Sequence, residues 1–363
     1  MKKDIVVNAR FLTRSLSGVD RVAIALLTAL ADRDDIGRLR LVHPRAEKLH
    51  LDWLHDLPNP ALRDRIELVP FGRLKGHAWE QLELPFAVGA DLLLSLCSTG
   101  PIVCRNQAVM IHDAQVWDAP QSYSPAFRLA YKVLLPVLAR RARFLLTVSA
   151  QSRRRLEAVG VAPAGKAQVV PNGADHILGI APDPAALDRF GLSRGGYFLA
   201  IGSLAPHKNL KMLLEAAAAR GPGAPELIVA GGLNAKIFAD AGLEAGPGTR
   251  LIGRVSDAEL RALYEGAMAL VFPSLTEGFG LPPVEAMLCG CPVVATTGGA
   301  VPEVCGDAVL SVDPQDRGGW TAAMERIAVD PDLREDMATK GRARAARFTW
   351  AASAATLATL LRA

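Results

Sequence analysis

Two carboxylates, Glu277 and Glu285, have the residue type and spacing that most clearly suggest chemistry. They lie in the stretch TEGFGLPPVEAMLCGCPVV, where an apolar strand pattern ending at Phe272 is followed by a glycine-bearing loop and then by a helical pattern. Proline suits the first helical turn, so the proline pair predicts a helix start with Glu285 in its first turn and Glu277 in the loop before it. Ligands of open α/β sheets bind outside the carboxyl ends of the strands, so both carboxylates are expected in one crevice.

The loop between the two glutamates is suited to an anionic, hydroxyl-bearing ligand. Gly278 and Gly280 let the backbone approach a ligand closely, and free N–H groups at a helix start bind anions. A carboxylate accepts several hydrogen bonds from sugar or ribose hydroxyls. A sugar or ribose joined to a diphosphate fits this combination. For Glu285 alone, an ordinary acid complementing the helix dipole is an equally good interpretation.

The elements that must position these residues follow a repeated pattern. Short apolar runs rich in β-branched residues alternate with helical patterns, which predicts an α/β protein with parallel sheets covered by helices. The strand pattern begins at residues 5–7 and restarts at residues 197–201, after a stretch rich in proline and glycine at 171–196. The sequence therefore predicts two Rossmann-like domains, 1–175 and 176–345, and a terminal helix over 346–363 that packs on the first domain.

Composition and charge exclude several classes of protein. Half of the 363 residues are hydrophobic and 21% are charged, as in a globular protein rather than a disordered or collagen-like one. The five cysteines are odd in number and lack metal-site spacing, which indicates reduced thiols in the cytosol. No window reaches about 18 apolar residues without a charge, so neither a signal peptide nor a membrane span is predicted.

The positive charge lies in the first half of the chain. Residues 1–178 carry a net charge of +7 and the remainder −3. Two dense arginine clusters, at 140–143 and 153–155, are either solvated helix faces or a peripheral contact with an anionic membrane. No basic stretch is interleaved with aromatic residues that could stack on bases, so we expect no nucleic-acid partner.

The residues around the two glutamates also resemble a known family. Glu277 and Glu285, separated by GFGLPPV, resemble the E-x7-E signature of glycosyltransferase family 4. IGSLAPHKNL, from Ile201, resembles that family's segment carrying a Lys-Asn pair, and LIGRVSDAELRALYEGA, from Leu251, resembles its nucleotide-base loop. In the first half NARFLTRSLSGVDRVA, WEQLELP, STGP, IHDAQVW and VSAQSRRRL are similar too. The resemblance covers nearly the entire chain and implies the GT-B fold, with two Rossmann-like domains facing a central cleft.

The resemblance implies roles for particular residues. Lys208 would neutralise the diphosphate leaving group, Glu277 would hold hydroxyls of the transferred sugar, and Glu285 would take the ribose hydroxyls. His112 would contact the donor sugar near its reactive end; without the surrounding matches it would be interpreted as a structural histidine. The same resemblance implies the following further donor contacts: Gly18, Ser203, His207, Arg254, Val255, Gly278, Phe279, Gly280 and Leu281.

The chain departs from the family at the phosphate side of the site. Many relatives have an arginine just before the lysine or shortly after the preceding strand, and this chain has His207 and Ser203 there. A protonated His207 beside a diphosphate, Arg254 or Arg14 would replace the missing charge. A non-catalytic sugar-nucleotide-binding or scaffolding subunit therefore stays open as an alternative. A dinucleotide-dependent oxidoreductase is not supported, because no G-x-G-x-x-G follows a strand pattern.

The resemblance also implies the reaction. It indicates a retaining transfer in which the leaving phosphate draws the proton from the acceptor. No Asp-x-Asp pair follows a strand pattern, so we expect a metal-independent enzyme without a separate cofactor. Similarity to bacterial polysaccharide mannosyl- and rhamnosyltransferases favours a GDP-linked mannose or deoxyhexose over a UDP-sugar. The expected acceptor is a saccharide or lipid-linked saccharide, met in the cytoplasm at the inner face of the membrane.

Overall fold

The computed structural model describes residues 3–362 except Ser15, Asp56, Pro58 and residues 232–245. The chain divides into two compact units. The first contains residues 1–117, 123–173 and 349–363, and the second contains residues 118–122 and 174–348. None of the helices in the described part of the chain combines the length and the apolar character needed to span a bilayer.

The sheet of the first unit has seven described strands, all paired in parallel, in the order β3-β2-β1-β4-β5-β6-β7. These strands are β1 (Lys3–Asn8), β2 (Ile36–Pro44), β3 (Ile66–Phe71), β4 (Leu93–Ser95), β5 (Gln107–Met110), β6 (Phe144–Thr147) and β7 (Ala167–Val169). The chain reverses its direction of travel across the sheet between β1 and β4. In Rossmann-like folds with such a strand order, ligands bind at the point where the order reverses.

Helices of the first unit pack on this sheet. They are α1 (Gly18–Ala31), α2 (Gly76–Leu82), α3 (Leu84–Val88), α4 (Gln115–Asp118), α5 (Pro125–Arg141) and α6 (Ala150–Ala158), with short 3-10 helices at Arg10–Thr13, Asp52–Leu54 and Pro60–Arg65. Ser17 and Asp20 form a capping box that starts α1. The last helix of the chain, Trp350–Leu360, belongs to this unit and packs against α1.

The second unit repeats the same topology with six described parallel strands in the order β10-β9-β8-β11-β12-β13. They are β8 (Tyr197–Ile201), β9 (Glu226–Ala230), β10 (Thr249–Gly253), β11 (Ala269–Phe272), β12 (Val293–Thr296) and β13 (Leu310–Val312). The central strands are buried throughout, as expected for a parallel sheet with helices on both faces.

The described helices of the second unit complete its two layers. They are α7 (Ala186–Arg189), α8 (Leu210–Ala218), α9 (Asp257–Gly266), α10 (Leu281–Leu288), α11 (Val301–Cys305), α12 (Arg317–Val329) and α13 (Pro331–Ala345). Its 3-10 helices are Pro120–Ser122, Asp175–Gly179, Pro206–Lys208 and Gly306–Ala308. Phe198, Val271 and Trp320 lie in the core between β8, β11 and the helices α8 and α12.

Candidate functional site

The reversal point of the second sheet lies between β8 and β11, which are neighbours in the sheet. The segment after β8 carries Lys208, and the loop after β11 carries Glu277. Carboxyl ends of neighbouring parallel strands meet at one edge of the sheet, where the diverging loops leave a crevice. The fold therefore brings together the lysine and the first glutamate predicted from sequence.

Lys208 and Glu277 form an ion pair, with Lys208 Nζ donating to Glu277 Oε1 at 2.7 Å. Both side chains are largely but not wholly enclosed, with exposed fractions of 24% and 12%. Asn209, in the left-handed conformation at φ 56°, follows the lysine and donates from Nδ2 to the carbonyl oxygens of Pro273 and Pro314. The amide thus ties the lysine segment to the loop after β11, which fixes the geometry of the pair.

A second glycine-bearing loop, which follows β12, lies close against the backbone of Glu277. A Cβ built on Gly299, which has φ +62°, would lie 2.4 Å from the backbone nitrogen of Glu277. The Ala300 N–H donates to the Glu277 carbonyl at 3.0 Å. Gly298 is equally close to the Leu275 carbonyl, at 2.4 Å from its built Cβ. This contact was not predicted, although the Gly-Gly pair that follows β12 is a sequence pattern typical of close backbone approach.

The helix after Glu277 begins earlier than expected, and this corrects one prediction. Gly280 is the N-cap of α10 at φ +91°, and the helix starts at Leu281. Glu285 therefore lies in the second turn, and the prediction of a first-turn position was wrong. The proline pair occupies the second and third helical positions, so among the first three only Leu281 offers a backbone N–H to an anion. An anion at this helix start would therefore depend more on a neighbouring cation such as Lys208.

Glu285 is held by two side chains that the sequence analysis did not single out. The Tyr264 hydroxyl donates to Glu285 Oε2 at 3.0 Å, and His176 Nε2 lies 3.2 Å from Oε1. Tyr264 is fully buried, and burial together with the neighbouring carboxylate raises its pKa well above the usual value, so it stays a donor. Arg261 donates to the carbonyl oxygens of Ile177 and Ile180 and so anchors the short helix that carries His176.

The remaining predicted donor contacts of this unit differ in their surroundings. Phe279 is buried with its ring edge-on to Phe348 at 5.4 Å between centroids. Arg254, directly after β10, is exposed and forms no ion pair or hydrogen bond with the described residues, whereas Val255 beside it is half-buried. Ser203 is exposed at the end of β8, and its Oγ accepts from the Ala205 N–H at 3.4 Å.

The surroundings of His207 within the protein do not favour the charged form that one sequence hypothesis assigned to it beside a diphosphate. Its side chain is buried, and Nδ1 lies 3.0 Å from the Ser122 hydroxyl. Burial and the adjacent Lys208 ammonium lower the pKa of His207, with only Glu277 acting in the other direction. The imidazole is therefore neutral near pH 7, and its role in this unit is to bind the segment that contains Ser122.

The two predicted residues of the first unit lie near its own reversal point. His112 follows β5, is buried, and Nε2 lies 2.7 Å from the carbonyl oxygen of Leu96. Burial lowers the pKa of His112, although this hydrogen bond acts against it, so the neutral ring donates from Nε2 and keeps Nδ1 as an acceptor. Gly18 is the exposed first residue of α1, and a Cβ built there meets nothing within 4 Å. The donor contacts predicted for both stay predictions.

The first unit also buries a carboxylate that the sequence analysis left unassigned. Glu80 Oε1 accepts from Asn8 at 2.7 Å, Thr99 at 3.0 Å and Arg10 at 3.2 Å, and His77 lies 3.1 Å from Oε2. Burial alone would raise the pKa of Glu80, but these partners lower it overall. The network joins the ends of β1 and α2. Among the described residues, no three His, Cys, Asp or Glu side chains are grouped as a metal site would require.

Comparison with known proteins gives the following matches. The model of the family "Glycosyl transferases group 1" matches residues 191–344. O-antigen chain mannosyltransferase B of Escherichia coli is 32% identical over 375 residues, covering 92% of this chain and 93% of that protein. O-antigen chain mannosyltransferase RfbU of Salmonella typhimurium is 26% identical over 344 residues, covering 90% and 92%.

A solved structure matches the whole chain. HepE of Anabaena, crystallised in complex with UDP and glucose, has a TM-score of 0.75 at 19% identity and covers 100% of both chains. At that identity the likeness concerns the fold alone. It agrees with the two parallel α/β sheets described above, and the predicted fold class is confirmed.

Proposed function

The chain belongs to the group 1 glycosyl transferases, and we propose that it is a retaining mannosyltransferase of bacterial polysaccharide assembly. Glycosyltransferase activity on a nucleotide sugar and a saccharide acceptor follows from the family. The observation that carries our site assignment is the Lys208–Glu277 pair at the reversal point of the second sheet, with Glu285 held close by in the same loop-helix segment.

Each side chain of this constellation has one task in the proposal. Lys208 meets the diphosphate, whose negative charge grows as the bond to the anomeric carbon breaks. Enzymes commonly gain most of their rate acceleration by stabilising charge that develops in the transition state. Glu277, paired with Lys208, holds the hydroxyls of the transferred sugar, and Glu285 accepts from the ribose hydroxyls. The backbone of residues 278–281 and the Arg254–Val255 pair border phosphate and base.

The reaction itself proceeds without a metal ion in this proposal. A double displacement would need a carboxylate nucleophile, and Glu277 is committed to Lys208. We therefore favour attack on the face from which the diphosphate leaves, with the departing phosphate oxygen taking the proton of the acceptor hydroxyl. The Lys208 ammonium and the Leu281 N–H supply the counter-charge that a divalent ion would otherwise bring.

Mannose is the transferred hexose that the relatives favour, because the two relatives compared above, each matched over more than nine-tenths of its length, are O-antigen chain mannosyltransferases. We propose GDP-mannose as the donor, with a GDP-deoxyhexose such as GDP-rhamnose second. The proposed acceptor is a saccharide carried on lipid at the cytoplasmic face of the inner membrane, where the basic first half of the chain meets anionic lipid.

Purified Lys208→Ala and Glu277→Gln variants test this site. Each should lower kcat/KM for transfer by about 10²-fold or more, as removal of one such stabilising group does in other enzymes, with the melting temperature nearly unchanged. Lys211→Ala is the matched control, because Lys211 is an exposed lysine in the following helix without an ion pair in the described chain. Near-normal turnover in both site variants would refute the assignment. Donor binding without any transfer by the unaltered protein would instead favour a non-catalytic binding subunit.

A further inference from the structure

Helix α5 of the first unit has two apolar faces, and only one of them is covered. Its inward face places Leu135, Leu138 and Ala139 in the core against β5 and β6. Its outward face carries an apolar stripe of three residues, Leu129, Val133 and Val137, which are 69%, 62% and 38% exposed. A spacing of four residues keeps these side chains on one side of the helix. A soluble helix ordinarily places polar residues there.

The exposed apolar surface continues beyond the helix. The Ile102 N–H donates to Gln81 Oε1 at 3.0 Å, and the Ile102 carbonyl accepts from Arg141 Nε at 2.7 Å. The loop residue Val103, 58% exposed, therefore stands between α2 and the C-terminal end of α5. Leu82 and Phe86, on α2 and α3, are exposed as well. Large contiguous apolar surface on a monomer usually marks an interaction site.

Unpaired cations surround the stripe. Lys132, Arg140 and Arg141 on α5 are exposed, as is Arg143 directly after it, and the helix contains no acidic residue. None of these cations pairs with a carboxylate in the described residues; the three arginines bond instead to backbone carbonyls or to the side chain of Asn106. An external anion could therefore neutralise these cations. Apolar residues flanked by long basic side chains match the boundary between acyl chains and anionic headgroups.

A second copy of the chain fits this surface less well. In a two-fold symmetric contact the same patch meets itself. Cations along the stripe would then face the same cations of the other copy, with no acidic residue on α5 to separate them. An anionic bilayer, in contrast, satisfies the apolar stripe and the basic rim together.

We propose that the apolar stripe of α5 with its basic rim is the surface that docks this enzyme on an anionic lipid bilayer. The arginine cluster on α6 has no comparable exposed apolar neighbours on its own helix and is a solvated face. The proposal deepens the proposed function, on which it rests for the location of the acceptor. Of the two arginine clusters in the sequence, the proposal assigns membrane contact to the cluster at 140–143 and not to the one at 153–155.

Sedimentation with vesicles of phosphatidylcholine containing phosphatidylglycerol tests the stripe. The double variant Leu129→Gln/Val133→Gln should lower the partition coefficient by about tenfold or more, since burying one such side chain is worth roughly a tenfold change in affinity. Val329→Gln is the matched control, because Val329 is 80% exposed in the second unit and should leave binding unchanged. Replacing Arg153 to Arg155 by glutamine should change binding less than the same replacement of Arg140, Arg141 and Arg143.

Several outcomes would overturn the docking surface. Equal sedimentation of the stripe variant and the control would do so, as would equal binding to vesicles of phosphatidylcholine alone. If the unaltered protein is a dimer in analytical ultracentrifugation, the stripe variant is a monomer and vesicle binding is the same for both, the stripe is an interface between two copies of the chain instead. Binding of GDP in solution is measured on the same proteins. If the stripe variant binds GDP and vesicles as the unaltered protein does, only the docking surface is rejected. If the unaltered protein binds no nucleotide diphosphate, the result counts against the proposed function.

Discussion

Replacing Tyr264 by phenylalanine tests how much the Tyr264 hydroxyl contributes to holding the Glu285 carboxylate in place. The substitution removes only the hydroxyl that donates to Glu285 Oε2 at 3.0 Å, and the buried ring keeps its place among its neighbours. A hydrogen bond to a charged group contributes about 1.5–3 kcal/mol. Glu285 is 12% exposed, so water partly replaces the donor and the low end of that range applies. Because this bond is already present before a nucleotide binds, only the cost of ordering the released carboxylate falls on binding, about 0.5–1.5 kcal/mol. We therefore expect up to about tenfold weaker binding of the donor nucleotide.

The assay compares GDP with 2′-deoxy-GDP by titration calorimetry. If Glu285 accepts from the ribose hydroxyls, the unaltered protein prefers GDP, and Tyr264→Phe reduces that preference because the carboxylate is less well placed. A double-mutant cycle between protein and ligand then gives a nonzero coupling energy. Equal weakening of both nucleotides, or no preference in the unaltered protein, would refute the ribose role of Glu285. His176→Gln is the companion variant, and we expect a smaller effect because its imidazole is more exposed.

Three further predictions follow from the geometry. Gly299→Ala should lower the melting temperature and kcat, because a Cβ there is strained at φ +62° and lies 2.4 Å from the Glu277 backbone; Gly221→Ala, which meets nothing within 4 Å, should change neither. The pKa of Glu80 is lowered in the folded chain, so its contribution to stability is present above the unfolded pKa of about 4.5 and is lost as pH falls through the folded value. Urea midpoints measured from neutral to acid pH should accordingly fall less steeply for Glu80→Gln than for the unaltered protein, and parallel curves would contradict this. His207→Asn should leave the pH profile of kcat/KM unchanged above about pH 7, because burial and the Lys208 ammonium lower the pKa of His207 from its ordinary value. Loss of a titration above that ordinary value in the variant would contradict this.

Much of the fold could be predicted because its elements carry strong patterns. Parallel strands in the centre of a sheet, such as β8, predicted at residues 197–201 and buried in four of its five residues, are continuous apolar runs that the sequence shows directly. The helix α13 was not predicted, since only Met337, Gly341 and Ala345 are buried and charged residues interrupt any apolar pattern along it. Strand β10 was not predicted either, because all of its residues but Thr249 are only partly buried and it has no long apolar run. The resemblance also places its second half in a base-binding loop.

The candidate site could be predicted only where its residues lie in segments with a recognisable pattern or family resemblance. The Lys208–Glu277 pair combined a helix-start pattern with a family resemblance. The supports of Glu285 could not be found this way, because no sequence pattern links Tyr264 on α9 or His176 on a 3-10 helix to that carboxylate. A tyrosine in a helical pattern has no feature in sequence that distinguishes a buried donor from an ordinary core residue.

The ends of the second unit bear on how the chain can be re-engineered. The Ala174 N–H donates to the Phe348 carbonyl at 2.9 Å, so the points where the chain enters and leaves this unit are adjacent. A Cβ on Gly173 would lie 2.2 Å from the Trp350 nitrogen, so the flanking residues of the first unit are adjacent too. The second unit can therefore be exchanged between relatives by cutting the chain at these two adjacent points, provided that Asp118–Ser122 is exchanged with it.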